Sequence, residues 1–278
     1  MNPRTYHHQA MPEQITSAQN PRVKNLVRLR DGSHRRRQQR FLVEGYREIE
    51  RAMSCDWPLE TIFFCDALFK HPDSFDLLHK AEESGTEIVQ LAEGPFTKAA
   101  FRQGPDGLLA VAHQKSWKLE ELQLSDNPLL IVLEGLEKPG NLGAIFRTAN
   151  AAGAEAIILT EAVTDPCNPN TIRASQGAFF QVPFCTTDNT SLTLFLEERN
   201  IRPVPTSPSG DALLWDAPLH KPVAIVLGTE DDGLSEDWLK GNTTYKLPMA
   251  GVTDSLNVAA ATAVALFEAV RQRSQEDS

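Results

Sequence analysis

Leu133-Glu134-Gly135-Leu136-Glu137-Lys138-Pro139-Gly140-Asn141-Leu142-Gly143-Ala144-Ile145-Phe146-Arg147-Thr148-Ala149 is the stretch on which the fold of this 278-residue chain turns. It begins at the end of an apolar run, passes through a polar turn containing Gly and Pro, and continues as a helix. Two later segments share the opening of that pattern. Residues 225–235 read Ile-Val-Leu-Gly-Thr-Glu-Asp-Asp-Gly-Leu-Ser, and residues 247–259 read Leu-Pro-Met-Ala-Gly-Val-Thr-Asp-Ser-Leu-Asn-Val-Ala. A buried strand that ends in a Gly-rich loop is where α/β proteins assemble sites, because the scaffold holds the loop while its amides stay free.

Outward from these segments, strands and helices alternate. Strands are expected at 129–134, 155–160, 223–227 and near 243–247, with helices at 141–152, 169–176, 191–199 and 256–273. A passage containing Pro203, Pro205 and Pro208 reads as loop. Upstream, helices are expected at 17–30, 46–53, 74–83 and 96–101, and strands at 41–44, 61–64, 87–90 and 108–112. Alternation of this kind implies α/β architecture in two domains. Residues 1–15 read as a flexible tail, 16–114 as a first domain, 115–128 as a polar linker and 129–278 as a second domain. The last helix is apolar on nearly every side, so more than one neighbour must cover it.

Net charge is −10, yet residues 1–50 carry ten Lys or Arg against five Asp or Glu. Eight basic residues and one acidic one fall within 21–40. Arg22, Lys24, Arg28, Arg35, Arg36, Arg37 and Arg40 thus form a stripe able to neutralise phosphates on an otherwise acidic protein. A solvated arm with no partner is the alternative. The four cysteines, Cys55, Cys65, Cys167 and Cys185, are far apart without a Cys-x-x-Cys pair, so neither a zinc site nor a disulfide framework is expected. No apolar run reaches the roughly 18–20 residues of a membrane span. The start lacks a signal peptide's apolar core, so the expectation is a cytoplasmic protein.

The motifs supply candidate chemistry. A helix opening at 139–143 presents free N–H groups to an anion, with Asn141 in its first turn and Arg147 further along. By spacing alone, Asn141 reads equally as a cap and Arg147 as a surface ion-pair partner. Glu230, Asp231 and Asp232 sit on a Gly-rich loop, but their spacing fits no calcium loop and no His or Cys stands nearby. The same loop lacks the G-x-G-x-x-G dinucleotide fingerprint, which counts against a nucleotide-dependent oxidoreductase. Asp254 or Ser255 reads as the N-cap of the last helix. A serine hydrolase would need a G-x-S-x-G elbow, which is missing.

Together and in this order, the three segments resemble the signature motifs of the SpoU (TrmH-like) RNA ribose methyltransferases of the SPOUT superfamily. Arg40-Phe41-Leu42-Val43-Glu44-Gly45 and Gln103-Gly104 are similar to the L30e-like substrate-binding domain that often precedes the catalytic one. The resemblance implies an N-terminal L30e-like α/β domain and a C-terminal SPOUT α/β domain with a deep trefoil knot, an exception to the usual unknotted topology. It implies S-adenosylmethionine as cofactor, held by Leu227, Gly228, Thr229, Gly233, Leu247, Met249 and Leu256. It implies a reaction site of Asn141, Arg147, Glu230, Ser255 and Asn257, and no metal. Lys138-Pro139 stands where many members have Asp-Pro, which bears on the target rather than the reaction.

The activity implied is 2′-O-methylation of RNA ribose by a homodimer. Ribosomal RNA is favoured over transfer RNA, because the basic stripe sits on an appended domain suited to a large structured RNA. A catalytically silent RNA-binding relative is the competing class, and intact Asn141, Arg147, Glu230 and Asn257 count against it.

Overall fold

A computed structural model describes residues 14–229 and 233–276, and the alternation becomes two sheets. The chain divides into two compact units: residues up to Lys115 together with Cys167–Phe180, and Ser116–Pro166 together with Gln181 onward.

The first unit contains β1 (Gln14–Ile15), α1 (Pro21–Arg28), α2 (Gly32–Gln38), β2 (Arg40–Glu44), α3 (Tyr46–Ser54), β3 (Leu59–Phe64), α4 (Ser74–Glu83), β4 (Glu87–Leu91), α5 (Glu93–Ala99) and β5 (Leu108–His113). Its five-stranded sheet runs β1-β4-β3-β5-β2, with β5 antiparallel to both neighbours. Successive side chains of a strand point to opposite faces. In β2, Leu42 therefore joins Val23, Leu26 and Phe96 on one side. On the other, Phe41 meets Trp57, Phe179 and Phe180 at ring-centroid distances of 6.2, 5.8 and 6.4 Å. α1 starts where Asn20 accepts a hydrogen bond from the Arg22 amide and Pro21 takes the first helical position. Gln14 and Ile15, read as tail, instead pair with Gln90 and Leu91 of β4. The rest of that tail, residues 1–13, lies outside the described residues.

The second unit contains β6 (Leu129–Glu134), α6 (Pro139–Ala152), β7 (Ala156–Thr160), β8 (Phe184–Thr187), α8 (Asn189–Glu198), β9 (Arg202–Thr206), β10 (Ala212–Leu213), β11 (Val223–Leu227), α9 (Glu236–Leu239), β12 (Tyr245–Lys246) and α10 (Val258–Glu276); α7 (Pro169–Ser175) belongs to the first unit. The seven strands run β10-β12-β9-β11-β6-β7-β8, every pairing parallel. Parallel sheets are covered on both faces, which is why β6, β7 and β11 are buried along their whole length. One face carries Leu192, Phe195, Leu196 and Trp238 against Leu130, Val132, Ala224 and Val226. On α6, Leu142, Ile145, Phe146 and Ala149 are buried, as are Leu266 and Ala269 on α10, and the two helices pack together.

Three sequence expectations change here. The Pro-rich passage holds a strand, β9. Arg202 donates its amide to the Pro222 carbonyl on the β11 side, so the missing N–H groups of Pro203 and Pro205 fall on the opposite side. There β12 pairs β9 only at Thr206. The stretch read as a linker, 115–128, is packed, since Leu119 and Leu122 are buried in the second unit's core. Cys167–Phe180, expected within the second domain at 129–278, belongs with the first unit instead.

Candidate active site

In the second unit the chain runs from β6 out to β7 and β8 on one side, then crosses to β9 and fills the other side with β10, β11 and β12. Open parallel sheets bind ligands outside the carboxyl ends of their strands, and here the loops after β9, β11 and β12 gather at that end. A cavity of about 350 Å³ opens at this end of the sheet, within the range of small-molecule sites. Leu227, Gly228, Thr229, Gly233, Leu247, Met249 and Leu256 all line it.

The loop after β11 explains its glycines. A Cβ on Gly228 would lie 2.1 Å from the Gly233 carbonyl oxygen and 2.6 Å from the Leu234 nitrogen, so only glycine lets the two limbs close. The Thr229 amide then donates to the Gly233 carbonyl at 3.2 Å. Gly233 itself has a φ of 71°, a left-handed conformation that costs glycine little. Glu230, Asp231 and Asp232, including the expected catalytic Glu230, lie outside the described residues.

The cavity has further walls that sequence reasoning missed. Thr206, Ser207, Pro208 and Ser209 line it from the end of β9, with Leu214 and Tyr245 beside them. The prolines that disguised β9 as loop hid this wall. From the third motif, Asp254, Val258, Ala261 and Ala265 add to the expected Ser255 and Leu256. Apolar side chains thus face hydroxyls and one carboxylate, a mixture suited to a ligand with both a flat apolar ring and polar groups.

Asn257, not Asp254 or Ser255, caps α10: its Oδ1 accepts the Ala259 amide at 3.0 Å. Its Nδ2 donates to Asn141 Oδ1 at 3.3 Å, joining the first and third motifs. Asn141 is the third residue of α6, whose N-terminus carries Pro139 and no side-chain cap. Ser255 is exposed and lines the cavity two residues before Asn257. Arg147 lies six residues further along the helix, about 9 Å by helical rise. It is exposed, and among the described residues no hydrogen bond or ion pair joins it to Asn141, Ser255 or Asn257. Among the described residues no group of three or more His, Cys, Asp or Glu is placed to hold a metal ion, and no helix is long and apolar enough to cross a membrane.

The basic stripe of the first unit divides into two kinds of residue. Lys24, Arg28, Arg36 and Arg37 are exposed. Arg22 pairs with Glu87, and Arg40 with Glu60, both half-buried. Arg35 departs from expectation: it is 1% exposed. Its guanidinium donates to the carbonyls of Leu29 at 3.0 Å and Arg30 at 2.7 Å, capping the end of α1. A cation spent on these carbonyls is withdrawn from any phosphate.

Comparison with known proteins follows the same lines. Residues 128–267 match the SpoU rRNA Methylase family, and residues 20–110 match the MRM3-like substrate binding domain. A 23S rRNA (guanosine-2′-O-)-methyltransferase, RlmB, of Ralstonia nicotianae is 35% identical over 72% of this chain and 82% of its own. The crystal structure of an RNA 2′-O ribose methyltransferase superposes with a TM-score of 0.81 at 38% identity, covering 94% of this chain and 99% of that one. An AdoMet-bound rRNA methyltransferase from Sinorhizobium meliloti gives a TM-score of 0.85 at 28% identity, covering 94% and 98%.

Proposed function

We propose that this chain, which belongs to the SpoU rRNA methylase family, transfers the methyl group of S-adenosylmethionine to a ribose 2′-hydroxyl of ribosomal RNA. The observation that carries the reading is the cavity at the strand ends, bounded by the second and third motifs and adjoining the Asn141–Asn257 pair.

The residues present fit that cofactor. Leu247, Met249 and Leu256 offer apolar surface for an adenine ring. Ser207, Ser209 and Asp254 offer partners for hydroxyl and ammonium groups, and the close pass of Gly228 against Gly233 leaves the loop's backbone at the wall. Leu227, Thr229 and Gly233 complete the set. Once bound, the cofactor supplies an electrophilic sulfonium methyl, so the protein's task is chiefly alignment.

Asn141, Arg147, Ser255 and Asn257 form the side that receives the RNA, with Glu230 as a further member. A guanidinium carries hydrogen-bond donors and no acceptor, so Arg147 is assigned a clamping role rather than that of the base. Its guanidinium clamps the target nucleotide's phosphate and stabilises negative charge developing on the ribose oxygen. The Asn141 and Asn257 amides, fixed by each other and by the α10 cap, orient the acceptor hydroxyl.

The first unit presents Lys24, Arg28, Arg36 and Arg37 to the RNA backbone, with Arg22 and Arg40 in support. The 16–114 region is the recognition domain, and 129–278 holds the catalytic machinery. The enzyme works in the cytoplasm as a homodimer. Val264 and Phe267, 37% and 50% exposed on α10, supply the apolar surface for that contact. The C-terminal segment threads the family's trefoil knot.

The test is to incubate the protein with S-adenosylmethionine and protein-free ribosomal RNA, then map 2′-O-methylation nucleotide by nucleotide. One new methylated ribose in ribosomal RNA supports the reading. Methylation confined to transfer RNA would move the substrate, and none in any RNA would favour the silent relative.

A further inference from the structure

The carboxylate of Glu134 is a feature the reaction scheme does not use. It ends β6, is 6% exposed, and has no cationic partner among the described residues. Burying such a charge is costly unless hydrogen bonds satisfy it. Here three neutral donors do so. Its Oε1 accepts from Asn189 Nδ2 at 2.6 Å and Ser235 Oγ at 2.7 Å, and its Oε2 accepts from the Ser235 amide at 2.8 Å. Asn189 in turn accepts from the buried Trp238 indole at 3.2 Å.

These hydrogen bonds bear on the loop that walls the cavity. Ser235 lies two residues beyond Gly233, and Leu234 between them is buried in the core beside Trp238. Next to Glu134, Gly135 faces the other limb, since a Cβ there would lie 2.8 Å from Thr229 Cγ2. The end of β6 therefore touches the outgoing limb at Thr229 and holds the returning limb at Ser235. Between those points the Thr229 amide meets the Gly233 carbonyl.

We propose that Glu134 is a positioning residue for cofactor binding, fixing the returning limb through Ser235 and so setting where Gly233 stands in the cavity wall. A carboxylate suits this place because each neighbour donates. A glutamine would turn an N–H₂ toward the Ser235 amide or toward Asn189, leaving a donor unsatisfied. The inference rests on the cavity being the S-adenosylmethionine site.

Titration calorimetry with S-adenosylhomocysteine on the full chain tests it, using wild type, Glu134→Gln, Ser235→Ala and Ser235→Thr. Ser235→Ala should raise Kd by about tenfold or more, the scale that removing a partner of a ligating residue costs at metal sites. In turnover, KM for S-adenosylmethionine should rise more than kcat falls. Ser235→Thr keeps the hydroxyl and the amide and should restore affinity. Ser235→Ala carries the test if Glu134→Gln does not fold. Variants that melt lower but bind as wild type does would overturn the proposal, leaving a stabilising network only. Wild type that fails to bind S-adenosylhomocysteine would overturn the cavity assignment instead.

Discussion

Replacing Gly228 with alanine should damage the cavity at the strand ends more than any other single methyl added to this chain's glycine-rich turns. The new Cβ would stand 2.1 Å from the Gly233 oxygen, 2.2 Å from the Gly233 carbon and 2.6 Å from the Leu234 nitrogen, against an ordinary contact of 3.4 Å or more. All three are backbone atoms, so no side chain can swing aside. Relief requires the returning limb to move by more than an ångström, yet Leu234 is buried and Ser235 is held by Glu134. Overpacking of this kind costs about 1–3 kcal/mol. At about 1.4 kcal/mol per factor of ten, that is roughly 5- to 150-fold if it appears in cofactor affinity. Gly140→Ala is the control: nothing lies within 4 Å of its added Cβ. Alanine there should stabilise α6 by up to about 1 kcal/mol. Calorimetry with S-adenosylhomocysteine and thermal melts read both. If Gly228→Ala binds and melts as wild type does, the close pass of the two limbs is refuted.

Other outcomes follow from the same geometry. Arg147→Ala should abolish methyl transfer while S-adenosylhomocysteine binds almost as before, because Arg147 does not line the cavity; a parallel loss of both would misplace it. Arg36→Ala with Arg37→Ala should leave the melting temperature unchanged and reduce the salt slope of RNA binding by up to about 0.7–0.9 for each phosphate no longer neutralised. Arg35→Ala should instead cost about 2–3 kcal/mol of stability, since it removes a charged donor from two carbonyls. Val264→Glu should lower the mass seen by light scattering from a dimer to one chain of 30.8 kDa, and a fully active monomeric wild type would exclude the interface. Alkylation at pH 8 should label Cys55 and spare Cys185. Burial pushes the Cys185 thiol up to about 12, so it gains its reactive thiolate only as pH rises toward that value.

Much of this was legible because β6 and β11 are continuous apolar runs that end in glycine turns, a pattern that locates both the parallel sheet and its open edge. The seven expected cofactor residues come together at one cavity for that reason. The β9 wall was not legible, because Pro203 and Pro205 are strand breakers by composition. They are tolerated only where the neighbouring strand makes a single pairing. Nor could a sequence separate Arg35 from Arg36 and Arg37. The three are consecutive, and which of them turns inward depends on where α1 leaves its last carbonyls. The cap of α10 was off by two or three residues for a similar reason: Asp254, Ser255 and Asn257 are all good caps, and only the backbone decides.

Cys167–Phe180 has a bearing on how this protein could be taken apart. Phe179 and Phe180 stand 5.4 and 5.2 Å from the Trp57 ring, and a Cβ on Gly177 would lie 2.6 Å from Arg51 Cγ. A fragment ending at Lys115 would carry Phe41 and Trp57 without the aromatic pair that covers them. The first unit is therefore no portable cassette. A chimera that grafts it onto another catalytic sheet must import fourteen residues from within that sheet's own β7–β8 connection. Recombination at a single breakpoint would part Cys167–Phe180 from Phe41 and Trp57, so an exchange of the first unit has to carry both pieces of chain.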